Sequence, residues 1–336
     1  MFVAGVHLHR IPAHTSVFLW GLLAAAALVG FFFKDRAFCR GFCPVGQLLS
    51  AYGRGSMLVV RPGSQEKCDA CSGKDCLLAC NRTLRDARSC PSLLNPAKLR
   101  SNSDCLVCGQ CIKICRPGNM GLYLRRPFHA ADARPALASW PTTLFVMLVS
   151  GFVIRELCSE WSTAQAVFLW VPEEVAKWLG LSAYAGWIEG AWTLFAVPLG
   201  AWTILGVSAL VSRGASGLAD AWRRLALPLA VVIAAGHMCK GLAKAASWAG
   251  FLPLAIQDPD GVRTAMALSA KAIPQPAALL PMVVVSVMAG LLVLTGACFA
   301  LGEFRLIYPE THRRYRPALV VIAACFAFIV LGWGLS

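Results

Sequence analysis

The chain has 336 residues, of which 57% are hydrophobic and only 14% charged, with a formal net charge of +14. This balance excludes an ordinary soluble domain and leaves room for a membrane portion plus one small soluble unit. Nucleic acid is excluded as the target of the charge, because Lys and Arg crowd into the segments between apolar runs, as loops obeying the positive-inside rule do.

The N-terminus, MFVAGVHLHRIPAH, lacks the basic start and cleavage site of a secretory signal. His7, His9 and His14 offer imidazole ligands for a metal on the outer side, although terminal tails usually hold none. An apolar run over 15–33 predicts the first membrane helix, so that 1–33 is a tail plus one span.

Directly after it comes FFFKDRAFCRGFCPVGQLLS. Cys39 and Cys43 are spaced C-x3-C, which on a helix puts both on one face. The two sulfurs can then meet at the membrane surface as a soft-metal site, a reversible disulfide or a contact for a redox partner. Two structural thiols at a helix–loop junction are the plainer alternative. Arg36 and Arg40 beside them favour thiolate.

Eleven of the 15 cysteines fall between residues 39 and 115, in the most basic part of the chain. Metal-ligand spacing in a reducing compartment explains them better than disulfides do. SDCLVCGQCIKICRPG spaces Cys105, Cys108, Cys111 and Cys115 as C-x2-C-x2-C-x3-C, the run that holds a cubane cluster in bacterial ferredoxins. Upstream, Cys68, Cys71 and Cys76 form C-x2-C-x4-C, a stretched first half of the same pattern. In two-cluster ferredoxins the fourth cysteine of each run serves the other cluster. Cys115 then completes the set begun by Cys68, Cys71 and Cys76. The set of Cys105, Cys108 and Cys111 has two contenders for its fourth place. Cys90 is preferred because Pro91 follows it, and Cys80 is the alternative by spacing. Structural zinc also uses C-x2-C pairs, but in two separated knuckles and not in one tight run. Arg82, Arg85, Arg88, Lys113, Arg116, Arg125 and Arg126 flank the motifs. Such cations favour the reduced, more negative cluster; the alternatives are a solvated face or contact with anionic headgroups.

FCRGFCPVGQLL, followed by a two-cluster ferredoxin segment between membrane helices, resembles the membrane polyferredoxins of the NapH, NosR and CcoG type. CDACSGKDC with a later Cys-Pro at Cys90 is most similar to FesM-like members. The resemblance covers about residues 31 to 126. LPLAVVIAAGH, ending at His237, is also similar to a helix in some relatives. The family implies electron transfer between the quinone pool or membrane complexes and partner redox proteins. Three departures stand out: one C-x3-C-P motif where NosR-type members carry two, CRPG in place of CP at the second run, and no flavin-attachment or C-x2-C-H haem sequence.

Further apolar segments at 140–157, 190–211, 225–248, 279–301 and 317–335 bring the expected spans to six. Segments 34–139, 212–224 and 302–316 hold 17, 3 and 4 basic residues, against 1, 2 and 4 on the alternate side. That bias puts the cysteine-rich segment in the cytoplasm and both termini outside. Trp161, Trp170, Trp178 and Trp187 in 155–189 suit either an interfacial helix or a packed loop. Segment 250–278, with Pro253, Pro259, Pro274 and Pro276, reads as an irregular loop. His237, Lys240 and Lys244 share one face of the fourth span. His237 at mid-membrane suits a quinone pocket, an axial ligand of haem b or a hydrogen-bonded structural histidine, while the lysines snorkel outward. Cys158, Cys239, Cys298 and Cys325 read as small apolar fillers.

The expected fold is an all-α polytopic membrane protein of about six transmembrane helices with an inserted bacterial-type 2[4Fe–4S] ferredoxin-like α+β domain. Its parts are 1–33, a cytoplasmic domain over 34–135 and a membrane domain over 136–336. The expected setting is a bacterial inner membrane, with two [4Fe–4S] clusters relaying electrons between the quinone pool or a membrane redox complex and a partner protein. Two rival expectations are an assembly factor that reduces a metal such as copper through Cys39 and Cys43, and an anchoring subunit of a larger respiratory complex.

Overall fold

A computed structural model of the protein describes residues 12–33, 38, 41, 43–99, 101, 102, 105–128 and 137–335. It is mostly helical, and six helices are long and apolar enough to cross a membrane: Thr15–Phe32, Trp140–Cys158, Ser182–Val211, Leu218–Gln257, Met282–Ile307 and His312–Leu335. The multi-pass character read from hydropathy therefore stands, with the third and fourth spans longer than their apolar cores.

The first helix, α1 (Pro12–Phe32), buries none of its spanning window against the rest of the described chain. A short helix, α2 (Pro44–Gly53), follows; Pro44 starts it, where a missing N–H costs nothing. Strand β1 (Leu58–Pro62) pairs antiparallel with β2 (Met120–Leu124), Leu58 opposite Leu124 and Pro62 opposite Met120. The β-branched pair Val59 and Val60 suits the strand, and both are buried. Pro62 and Gly63 end it, and Ser64 caps α3 (Gln65–Asp69) by accepting from the Lys67 N–H at 3.4 Å. One more short helix, α4 (Gln110–Lys113), precedes β2. Among its described residues, the segment between the first two spans is thus a small two-stranded unit with short helices and irregular stretches.

Its base is fixed to the bundle. Phe128 N–H donates to the Arg54 carbonyl at 2.9 Å and Arg125 N–H to that of Met57 at 2.8 Å. The Arg54 side chain is 2% exposed; it donates to the Leu227 carbonyl at 3.2 Å and pairs with Glu303, which is 1% exposed. Phe128 packs its ring 5.5 Å from that of Phe299.

The bundle is built from α5 (Trp140–Cys158), α6 (Ser162–Trp178), α7 (Ala185–Ala191), α8 (Val197–Val211), α9 (Leu218–Trp248), α12 (Met282–Ile307) and α13 (Arg316–Gly332). Helix α9 is its axis, burying Leu225, Leu229, Val232, Ile233 and Cys239 among α5, α8 and α12. Small residues set the spacing, as in other membrane helix pairs. A Cβ at Gly151 would run into the Thr193 carbonyl and the Pro198 ring, and one at Gly236 would meet Phe326 at 2.7 Å. Between α7 and α8, Trp192–Ala196 forms a π-turn leading into Pro198, which lacks an N–H.

Segment 155–189 contains the helix α6 over Ser162–Trp178, with Trp170 and Trp178 exposed. Segment 250–278 departs from the loop reading: α10 (Leu252–Gln257) and α11 (Val262–Ser269) interrupt it. Pro253 sits in the first turn of α10, a place where proline starts a helix as readily as it breaks one.

Candidate functional site

The insert gathers its cysteines into two groups. Cys68, Cys71, Cys76 and Cys115 surround a cavity of about 250 Å³ whose wall also includes Asn119 and Met120. Cys90, Cys105, Cys108 and Cys111 surround a smaller one of about 20 Å³, backed by Val60 and Leu99. Each group joins three cysteines of one run to a fourth from far along the chain. Cys80 belongs to neither. It is exposed, and its thiol points to Asn81 Oδ1 at 3.7 Å.

Among the described residues, no three His, Cys, Asp or Glu side chains converge as they would on a single metal ion. A cubane asks for something different, since each thiolate meets its own iron. Burial pushes the Cys111 thiol up to about 12, with repulsion from Cys105, Cys90 and Cys108 adding to it. Burial likewise raises Cys76 and Cys105. Four thiolates packed this tightly need a positive partner, and a bound metal centre deprotonates its thiols outright.

Donors already face the sulfurs. Asn119, itself buried, donates from Nδ2 to Cys68 Sγ at 3.1 Å. The same amide donates to the Ser64 carbonyl at 2.7 Å while its Oδ1 accepts from Ser64 N–H at 3.0 Å. It therefore fixes the start of α3 and the Cys68 sulfur together. In the second group the Val107 N–H donates to the Cys105 sulfur. Val107 holds a φ of 50°, in the left-handed region that a β-branched residue avoids. Such an outlier persists only where its surroundings over-determine it.

The two groups touch through the backbone: Cys90 N–H donates to the Cys76 carbonyl at 3.1 Å. The second group also reaches the membrane side. Cys105 N–H donates to the Asn102 carbonyl at 3.1 Å, and that oxygen would lie 3.3 Å from a Cβ placed on Gly53, in α2. Asn102 further donates to Leu58 O at 2.9 Å and accepts from Arg61 at 3.2 Å.

The flanking cations are less uniform than their sequence suggests. Arg116 pairs with Asp75 at 3.0 Å, and Arg125 donates to the carbonyls of Ser56 and Arg54 at the base. Instead, Lys67, Lys74 and Lys98 line the first cavity, and Arg61 acts on Cys105. Cys43 is the residue just before α2, and is half-buried. Its expected partner Cys39 lies outside the described residues, as do His7, His9 and the side chain of His14.

His237 is half-buried in α9 and its Nδ1 lies 3.1 Å from the Tyr52 hydroxyl. The rings of Tyr52 and Phe152 flank it at 6.0 and 6.4 Å. Among the described side chains no second histidine joins it. His312 sits in the turn whose Tyr308 bonds to the Arg224 carbonyl, about 20 Å back along α9. Lys240 does not snorkel: it is buried, with Glu160 Oε1 at 2.6 Å, Glu156 Oε2 at 3.3 Å and Ser159 Oγ at 2.6 Å. Lys244 reaches Glu160 at 3.5 Å and Arg155 bridges Glu156 and Glu189, so four elements are laced together at that end. Tyr52, Asn102 and Asn119 carry no spacing signal that sequence could reveal.

The chain is similar to the "Uncharacterized protein MJ0749" of Methanocaldococcus jannaschii, 29% identical over 117 residues. That stretch is 35% of this chain and 40% of the relative, so less than half of either protein is spanned. No family model matches the chain, and no solved structure matches it significantly.

Proposed function

We propose that this is a membrane-anchored iron–sulfur electron-transfer protein of the membrane polyferredoxin type. It relays electrons between the quinone pool or a membrane redox complex and a partner redox protein. The observation that carries this reading is the crosswise grouping of cysteines, Cys115 with Cys68, Cys71 and Cys76, and Cys90 with Cys105, Cys108 and Cys111. That exchange of the fourth ligand is how two-cluster ferredoxins hold their cubanes.

When bound, two [4Fe–4S] clusters supply the one-electron chemistry. The protein's residues hold and tune them. The eight thiolates bind, and the Asn119 amide and Val107 N–H stabilise negative charge on sulfur. The Cys90–Cys76 bond keeps the two groups adjacent, and Asn102 against Gly53 keeps the second beside α2. In the membrane, His237 exchanges a hydrogen bond or proton with a quinone oxygen, with Tyr52 fixing its ring. The setting is a bacterial inner membrane with the insert in the cytoplasm and both termini outside, as the basic-residue bias supports.

Anaerobic purification with iron and sulfide analysis, followed by redox-titrated EPR, tests this. Two interacting cubane signals are expected. Zinc in place of iron, or cysteines oxidised in pairs, would overturn it.

A further inference from the structure

We infer that the rim of the first cysteine group, made by Lys67, Lys74 and Lys98, is the docking face for an acidic one-electron carrier protein. The inference rests on the iron–sulfur reading and adds which end of the insert meets the soluble partner and what charge that partner carries.

Position comes first. The insert stands on the bundle at Arg54 and Phe128, and the bond from Arg125 to Met57 leads from there to the strand pair at Leu58 and Leu124. The ladder ends at Pro62 opposite Met120, and the first cavity is built around Met120, Asn119 and Cys68 at this far end. The second cavity lies against Val60, in mid-strand. The first group is therefore the outer one, and the second lies between it and the membrane.

Charge comes next. Lys67 belongs to α3, Lys74 to the loop before Cys76, and Lys98 to the turn Pro96–Lys98. Three separate segments thus bring ammonium groups to one opening. All three are exposed, and none makes an ion pair among the described residues. Lys74 holds a φ of 47°, unusual for a lysine. Among the described residues Asp69 is the one acid in the wall, and its carboxylate accepts from Gln65 at 3.0 Å. Among the described residues, the wall of the second cavity carries no charged side chain, and Arg61 acts on Cys105 from beside it. A carrier steered by charge is therefore drawn to the outer opening, where one electron crosses with no bond made or broken.

The test uses the full-length protein in detergent, reduced with dithionite, freed of excess reductant and mixed with one of two oxidants. Plastocyanin is an acidic copper protein, reduced from Cu(II) to Cu(I); cytochrome c is a basic haem protein, reduced from Fe(III) to Fe(II). Plastocyanin should react faster at low salt, and its rate should fall steeply as salt rises. The combined Lys67→Gln, Lys74→Gln and Lys98→Gln variant should lose roughly tenfold in that rate and show no loss with cytochrome c. The control Arg313→Gln with Arg314→Gln, in the turn His312–Tyr315 and off the rim, should behave as wild type. Equal rates for the two carriers, an unchanged lysine variant or an equal loss in the arginine variant would each overturn the docking face. Iron content and visible absorbance of the same samples report the clusters separately: iron-free material sinks the underlying reading, whereas iron-loaded material indifferent to charge sinks only the docking face.

Discussion

The hydroxyl of Tyr52 and Nδ1 of His237 lie 3.1 Å apart although 185 residues separate them in the chain. One residue belongs to the short helix leading into the cysteine-bearing insert, the other to the most buried helix of the bundle. The bond joins the insert to the bundle, at the place where the proposed electron transfer would pass from one to the other.

Removing that hydroxyl should leave the clusters intact and slow their exchange with the membrane. Tyr52→Phe is expected to retain wild-type iron content while quinol-driven bleaching of the cluster absorbance slows about tenfold, the rate equivalent of about 1.4 kcal/mol. His237→Ala should be slower still. Wild-type rates in both variants would remove this pair from the path.

Cys90→Ser and Cys80→Ser should part company. The first takes one thiolate from the group of Cys105, Cys108 and Cys111 and should cut the iron content by about half. The second alters an exposed thiol outside both groups and should leave iron unchanged. The reverse outcome would reassign the fourth ligand.

The Arg54–Glu303 pair is almost completely buried, so removing one partner strands the other charge. Glu303→Ala should destabilise by about 3–5 kcal/mol, whereas the double change Arg54→Met with Glu303→Leu should recover most of that. Thermal melting in detergent measures both. A single variant as stable as wild type would show that the pair does not anchor the insert.

Acid should loosen the laced end of the bundle. Burial on its own raises the Glu160 carboxyl, but the bonds and charges of Lys240 and Lys244 outweigh it, and its pKa falls below the ordinary carboxylate value. A depressed folded-state pKa contributes stability above the unfolded pKa, and that contribution disappears as pH falls through the folded one. Melting temperature should drop on acidification through and below the usual carboxylate range, and Glu160→Gln should flatten the drop. Parallel profiles for variant and wild type would exclude this group as the cause.

What could be read beforehand depended on range. The six spans come from long apolar runs, a local signal, and the structure has a helix long and apolar enough to cross a membrane at each. The cysteine runs and the Pro91 that follows Cys90 are also local, and Cys90 lines one cavity with Cys105, Cys108 and Cys111. A lysine in a membrane helix has two outlets, water or a carboxylate, and hydropathy does not choose between them for Lys240. Only packing brings Glu156 and Glu160 from another segment within reach. Tyr52, Asn102, Asn119 and Glu303 were invisible for the same reason: each acts through a partner supplied by a distant element. Pro253 misled differently, because proline punctuates a chain without saying whether a helix is closing or opening.

The chain leaves the bundle after Arg54 and comes back to the same spot at Phe128, the two joined by a single backbone bond. Departure and return through one doorway let the cysteine-bearing unit vary in length without changing the gap that the chain must close at the bundle. A brief turn would close the same gap, and any other unit placed there would stand in the neighbourhood of Tyr52 and His237.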